Sequence, residues 1–246
     1  MQSEIRGVAF KDRTGIKINT NQGYLVEIID YIDCNNCTVQ FPEGNIVYNI
    51  PYASVHRCKN PYHKTVCNVG YIGNGYYNRT NTPHAYYIWK GIIRRCYSKE
   101  INKKNNSYKD CLVSIDWHNF QNFNYWFEEN FNPDTMLGWH IDKDILSKGC
   151  KEYSAKTCCF VPQEININFS RLEKNSGISF RRGKYIANIS VFNKNNYIGS
   201  YDSYESAFKA YKDVKEKHIK FLADKWKHKL NNSVYKAMYD YKVELK

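Results

Sequence analysis

Within the stretch from Leu137 to Asn166, LGWHIDKDILSKGCKEYSAKTCCFVPQEIN, the side chains have the types and spacing that one divalent ion would use. Asp142 and Asp144 are two residues apart, so on a strand both project from one face. Asn166 follows Pro162 by one helical turn, where a side-chain oxygen is placed to complete a shell of hard ligands. The competing reading leaves both aspartates solvated or capping the nearby helix. A second set of metal-type residues lies upstream: the pair Cys34 and Cys37, with Cys58 and Cys67 and the neighbouring His56 and His63. Four thiolates suit zinc, but Cys58 and Cys67 are not the tight pair that a strong zinc signature has, and small buried thiols are the plainer reading.

The elements that must position these groups follow from periodicity. Trp139 to Leu146 predicts a strand, Lys148-Gly149 a turn, Cys159-Phe160-Val161 a second strand, and Pro162 the first turn of a helix. Upstream, Pro83 opens a helix in which Ala85, Trp89, Ile92, Ile93 and Cys96 recur at three- and four-residue spacing. The polar run INKKNNSYKD reads as a loop. A second helix is expected from Asn119 to Asn130, with Phe120, Phe123, Trp126 and Phe127 forming an apolar face that holds the strand-strand-helix unit. Residues 1–78 read as a small β domain, a barrel of SH3-like size, from the runs GYLVEIIDYI, NCTVQF and GNIVYNI between turn residues. The glycines Gly70, Gly73 and Gly75 lack the helix and lysine of a phosphate loop and read as a connector.

The 246 residues carry a formal net charge of +12 and include 22 tyrosines and nine cysteines. A surface this basic favours a polyanionic partner, nucleic acid before membrane. The chain has no N-terminal apolar segment and no apolar run of about 18 residues, so the expectation is a protein of the cytoplasm of a bacterial host, with reduced cysteines and no membrane.

On Trp89 to Tyr97, the block YKDCLVSIDW, the aromatics Phe120, Phe123 and Trp126, and the runs IDKDIL, YSAKTC and EIN, residues 89–166 resemble the HNH-type homing endonucleases common in bacteriophages. The resemblance implies a ββα-metal unit with Mg²⁺ or Mn²⁺ on Asp142 and Asn166. In that family a histidine base follows the aspartate ligand. Here the position is Lys143, whose ordinary pKa is far too high for a base at neutral pH. His140, on the same side of the strand as Asp142, is the substitute. Thr157 replaces the family's asparagine before the cysteine of the second strand.

Farther on, GISFRRGKYIANISVFNKNNYIGSYDSYESAFKAYKDV resembles the ethylene-response-factor type of DNA-binding domain, a three-stranded antiparallel sheet packed on one helix. Alternation in the middle strand puts Tyr185, Ala187, Ile189 and Val191 on one face and Lys184, Ile186, Asn188 and Ser190 on the other. Ser203 is placed to cap the helix, and a last short helix is expected around Val234 to Tyr241. The resemblance implies that the uncovered face enters the major groove, with Arg181, Arg182, Lys184, Asn188, Ser190, Asn195 and Tyr197 at the DNA-contacting positions. Asn188, Ser190 and Tyr197 replace a glutamate, an arginine and a tryptophan of that family, so its sequence preference does not carry over.

The sequence therefore predicts an α+β chain of three parts: a β domain over 1–78, helices plus the HNH-like unit over 79–170, and the DNA-binding domain with its helical tail over 171–246. The expected partner is double-stranded DNA, with RNA or a host nucleoprotein complex as alternatives. The expected activity is metal-dependent phosphodiester cleavage, or else non-catalytic binding by a regulator or an inhibitor of a host nuclease built on the same scaffold.

Overall fold

The structure is a computed structural model and describes residues 11–104, 108, 110–170, 177–191 and 194–244. The chain divides into two compact units, residues 1–64 with 71–74, and residues 65–70 with 75–246.

The first unit is an antiparallel sheet of four strands in chain order: β1 (Lys17–Asn19), β2 (Leu25–Asp33), β3 (Asn36–Gln40) and β4 (Ile46–Ile50). Alternation decides which side closes. Val26 and Ile28 of β2 meet Cys37 and Val39 of β3, together with Phe41, Val55 and Cys58, in one apolar core. Tyr24 packs edge-on against Phe41 and bonds its hydroxyl to His63 Nδ1 at 2.7 Å. Among the described residues β1 and β4 do not pair, so the expected SH3-like barrel is instead an open meander. Register shifts in both the β2–β3 and the β3–β4 pairing interrupt the regular ladder.

The second unit holds the described α-helices and the remaining described strands. Helix α1 (Pro83–Tyr97) starts at Pro83 and buries the five apolar residues expected of it. Helix α2 (Lys99–Lys104) takes up the first part of the polar run expected to be a loop, of which residues 105–107 and 109 lie outside the described residues. After the two-residue strand β5 (Leu112–Val113), Asn119 caps α3 (Phe120–Asn130) by accepting from the Gln121 backbone N–H. Trp89 is wholly buried and its indole donates to the Trp117 carbonyl at 2.7 Å. Around it Trp117, Phe123, Trp126, Phe127, Phe131 and Phe160 form one chain of aromatic contacts, in which Trp126 stacks on Phe160 with centroids 5.3 Å apart.

Phe160 belongs to the candidate site. Strand β6 (His140–Asp142) pairs antiparallel with β8 (Cys159–Val161), β7 (Glu152–Tyr153) pairs in parallel with β5, and α4 (Gln163–Ser170) follows β8 directly. The strand expected over Trp139–Leu146 is only three residues long. The Asp142 carboxylate accepts the backbone N–H groups of Asp144 (2.8 Å) and Ile145 (2.9 Å), which bends the chain into a turn where a ladder would have continued.

The last sheet contains β9 (Ile178–Arg181), β10 (Lys184–Val191) and β11 (Lys194–Tyr201), with β10 in the centre. Ser203 accepts from the Ser206 backbone N–H and opens α5 (Tyr204–Trp226). Helix α6 (Asn232–Tyr239) comes last, capped by Asn231. Ala207, Phe208 and Tyr211 of α5 close over Ala187 of β10. Farther along the same helix, the buried Lys215 ammonium donates to the Asn168 carbonyl and side-chain oxygen in α4, each at 3.2 Å. At its end, Lys225 and the Trp226 indole donate to the Glu164 carboxylate at 2.8 and 3.0 Å. No helix among the described residues is long and apolar enough to cross a membrane.

Candidate functional site

The ribbon β6–β8 and helix α4 follow one another in the expected order, and antiparallel register sets His140 opposite Val161, Ile141 opposite Phe160 and Asp142 opposite Cys159. Phe160 packs against Trp126, Phe127 and Phe131, and Val161 and Ile165 are buried beside it in the chain, which anchors the ribbon.

Those polar groups separate into two clusters. His140 is exposed, and the Asn166 amide nitrogen of α4 donates to its Nδ1 at 3.2 Å. Asp142, two residues along, is 5% exposed and lies under the turn that it caps. Burial pushes its carboxyl up to about 6; the two backbone N–H donors and the Lys143 ammonium oppose the shift, and the Asp144 carboxylate adds to it. Lys143, which stands at the family's base position, is buried: its ammonium is paired with Asp144 and donates to the Cys150 carbonyl at 3.0 Å over the Tyr153 ring. The amine is thereby engaged with an acidic group and a carbonyl inside the turn, away from the exposed His140.

The sequence-predicted ligands Asp142, Asp144 and Asn166 are thus each engaged: one with backbone N–H groups, one with Lys143 and one with His140. Among the described residues no group of three or more His, Cys, Asp and Glu side chains is arranged to hold a metal ion. Of the cysteines considered for zinc, Cys34 is exposed in the β2–β3 turn, and Cys37 donates its thiol to the Ile50 carbonyl at 2.9 Å. Cys37 and Cys58 are buried, which pushes both thiols up, as for thiols that serve as small core groups. Cys67 belongs to the other compact unit.

The second candidate surface is the outer face of the C-terminal sheet. Residues directly opposite in antiparallel strands share a face. Lys184 pairs with Arg181, Ile186 with Ser179 and Ser200, Asn188 with Tyr197, and Ser190 with Asn195. All lie opposite the face on which Ala187 and Ile189 are buried under α5. A register shift between Ala187 and Asn188 keeps Tyr197 on the outer face, where it is 65% exposed. Arg182 and Gly183 join β9 to β10 with φ of 50° and 77°, the two positive values that a type I′ hairpin turn requires, so Arg182 stands at the tip. The Lys184 ammonium is paired with the exposed Asp202.

Six of the seven expected DNA-contacting residues therefore share one face and Arg182 extends its edge. Sequence alternation alone missed Ser179 and Ser200, because their place depends on cross-strand register. It also missed the clamp of Lys215, Lys225 and Trp226 on α4, whose members are too far apart in the chain to leave a local signal. Comparison of the chain with family models, with curated proteins and with solved structures gives no match.

Proposed function

We propose that this chain is a double-stranded DNA-binding protein that sets the uncovered face of its C-terminal sheet into the major groove. The observation that carries the reading is the register: it gathers Arg181, Lys184, Asn188, Ser190, Asn195 and Tyr197 on the one face that α5 leaves open, in a chain of net charge +12. A narrow antiparallel ribbon fits a groove roughly 12 Å wide. Arg181, Arg182 and Lys184 supply cations for phosphates and guanine edges, Asn188 and Asn195 the paired donor and acceptor that suit adenine, and Tyr197 a flat apolar contact.

A second reading, metal-dependent cleavage by an HNH-like unit, is favoured by the order β6–β8–α4 and by the adjacency of His140 and Asn166. Mg²⁺ or Mn²⁺ would polarise the scissile phosphate there. In the arrangement described Asp142 Oδ1 accepts two backbone N–H groups, Asp144 is paired with Lys143 and Asn166 gives its amide nitrogen to His140, an arrangement that does not favour the ion. His140, exposed, is the better base of the two considered, because Lys143 is buried against Asp144 and the Cys150 carbonyl. The arrangement suits a regulator that binds DNA without cutting it.

The test is a gel shift on duplex DNA at two salt concentrations, run beside supercoiled plasmid with Mg²⁺, Mn²⁺ or chelator. Salt-sensitive binding without nicking is the expected result. Arg182→Ala with Lys184→Ala should lower the slope of log affinity against log salt by about 2. An unchanged slope removes the sheet from the interface, and nicking that is lost with Asp142→Ala restores the nuclease reading.

A further inference from the structure

We infer that a tyrosine platform built on α1, α3 and the loop before α1 is a second nucleic-acid site, one that stacks the unpaired bases of a single strand. It does not depend on the role of the C-terminal sheet. Tyr76, Tyr87 and Tyr125 are 75%, 53% and 59% exposed. They are nevertheless held in place. Tyr77 sits between Tyr76 and Tyr125, with ring centroids 5.7 and 5.1 Å away. Its hydroxyl donates to Glu128 at 2.6 Å. Its backbone N–H donates to Gln121 Oε1 at 3.0 Å, and its carbonyl accepts from Gln121 Nε2 at 2.8 Å. Gly75 is what lets the loop come this close: a Cβ there would stand 2.2 Å from Gln121 Oε1, at a φ of 156°.

From Tyr76 the loop continues to Arg79, whose guanidinium lies 5.7 Å from the Tyr87 ring and donates to its hydroxyl at 3.2 Å. Asn78 and Asn81 fix this turn by accepting the backbone N–H groups of Thr80 and Asn78. Tyr87 adjoins Tyr86, over which Lys90 places its ammonium at 5.9 Å. The exposed Arg94 follows Lys90 by one helical turn.

Exposed amphipathic rings with cations beside Tyr86 and Tyr87 are what a flexible single strand needs. The rings take the faces of bases regardless of sequence, and Arg79, Lys90 and Arg94 are cations for its phosphates. A duplex hides its base faces, so it has nothing to offer the rings. Rings already fixed by Tyr77 and Arg79 lose little freedom on binding, which favours affinity. The occupant that matches both the apolar rings and the positive charge is single-stranded nucleic acid.

The test measures anisotropy of a labelled short oligothymidylate against the intact protein, beside an abasic strand of the same length. The base-bearing strand should bind about tenfold or more tightly than the abasic one. Tyr76→Ala and Tyr125→Ala, on separate elements, should each weaken it by about 5- to 150-fold, the range for losing one stacked base. Tyr76→Phe should keep the affinity, and duplex binding through Arg182 and Lys184 should be unchanged in all three. Equal binding of the abasic strand, or wild-type affinity in both alanine variants, overturns the proposal. So does self-association that Tyr87→Ala abolishes in a protein that binds no oligonucleotide, because a second copy would then cover the rings.

Discussion

Replacing Asp142 by asparagine separates a carboxylate that caps a buried turn from one that binds an ion. Asparagine keeps an oxygen for the N–H groups of Asp144 and Ile145 but carries no charge into the interior. The Asp142 carboxyl is raised by burial from an ordinary 3.8 to about 6. A difference of this size corresponds to ~3 kcal/mol between the two protonation states. Because the folded protein holds this proton more tightly than the unfolded chain, the associated stability is full below 3.8 and is lost as pH rises through about 6. Asp142→Asn should therefore be more stable than wild type at pH 8 by up to ~3 kcal/mol, with the gap closing as the pH is lowered. Urea unfolding followed by tryptophan fluorescence at pH 8, 6 and 4 measures it. Asp142→Ala, which leaves two N–H groups without their acceptor, should fall below Asp142→Asn by about 1–3 kcal/mol at every pH. A wild type more stable than Asp142→Asn at pH 8, by a margin that grows with pH, would refute the reasoning. It would mean that the native fold stabilises the charged carboxylate.

Arg182→Gly should raise stability by about 1 kcal/mol, since it frees a non-glycine residue from positive φ, while weakening duplex binding; chemical unfolding and gel shift together check the opposite signs. Trp126→Ala should cost about 3–5 kcal/mol, because it empties the contact between α3 and Phe160. Burial alone would raise the Glu164 carboxyl, but the Lys225 ammonium and the Trp226 indole outweigh it and hold the group below its ordinary range. Its contribution is therefore present above the ordinary carboxylate pKa and lost as pH falls through the lowered value. Glu164→Gln should melt below wild type at pH 7, with the two melting points converging under acid conditions.

Where local chemistry decides an element, the sequence was legible. Pro83, Asn119 and Ser203 each mark the helix start that the structure has, and the alternation of Lys184–Val191 divides its faces as read. It was not legible where a side chain competes with the ladder. In IDKDIL the pattern predicts a strand, but the Asp142 carboxylate takes the N–H groups and ends it after three residues. That same turn carries Lys143 into the interior, where its ammonium meets Asp144. Closure of the N-terminal strands depends on how β1 meets β4 in space, which short alternating runs do not specify.

Helix α5 is 23 residues long and so extends about 35 Å, with the sheet packed on its first turns and α4 clamped to its later ones. It keeps both in phase. One residue inserted between Tyr211 and Lys215 would rotate everything beyond by about 100° and carry Lys215, Lys225 and Trp226 off their partners together. Substitutions on the open sheet face alter nothing along this axis. A lineage built on this scaffold is thus free to change the surface it presents, residue by residue, but can change the length of α5 only in steps that restore the helical phase.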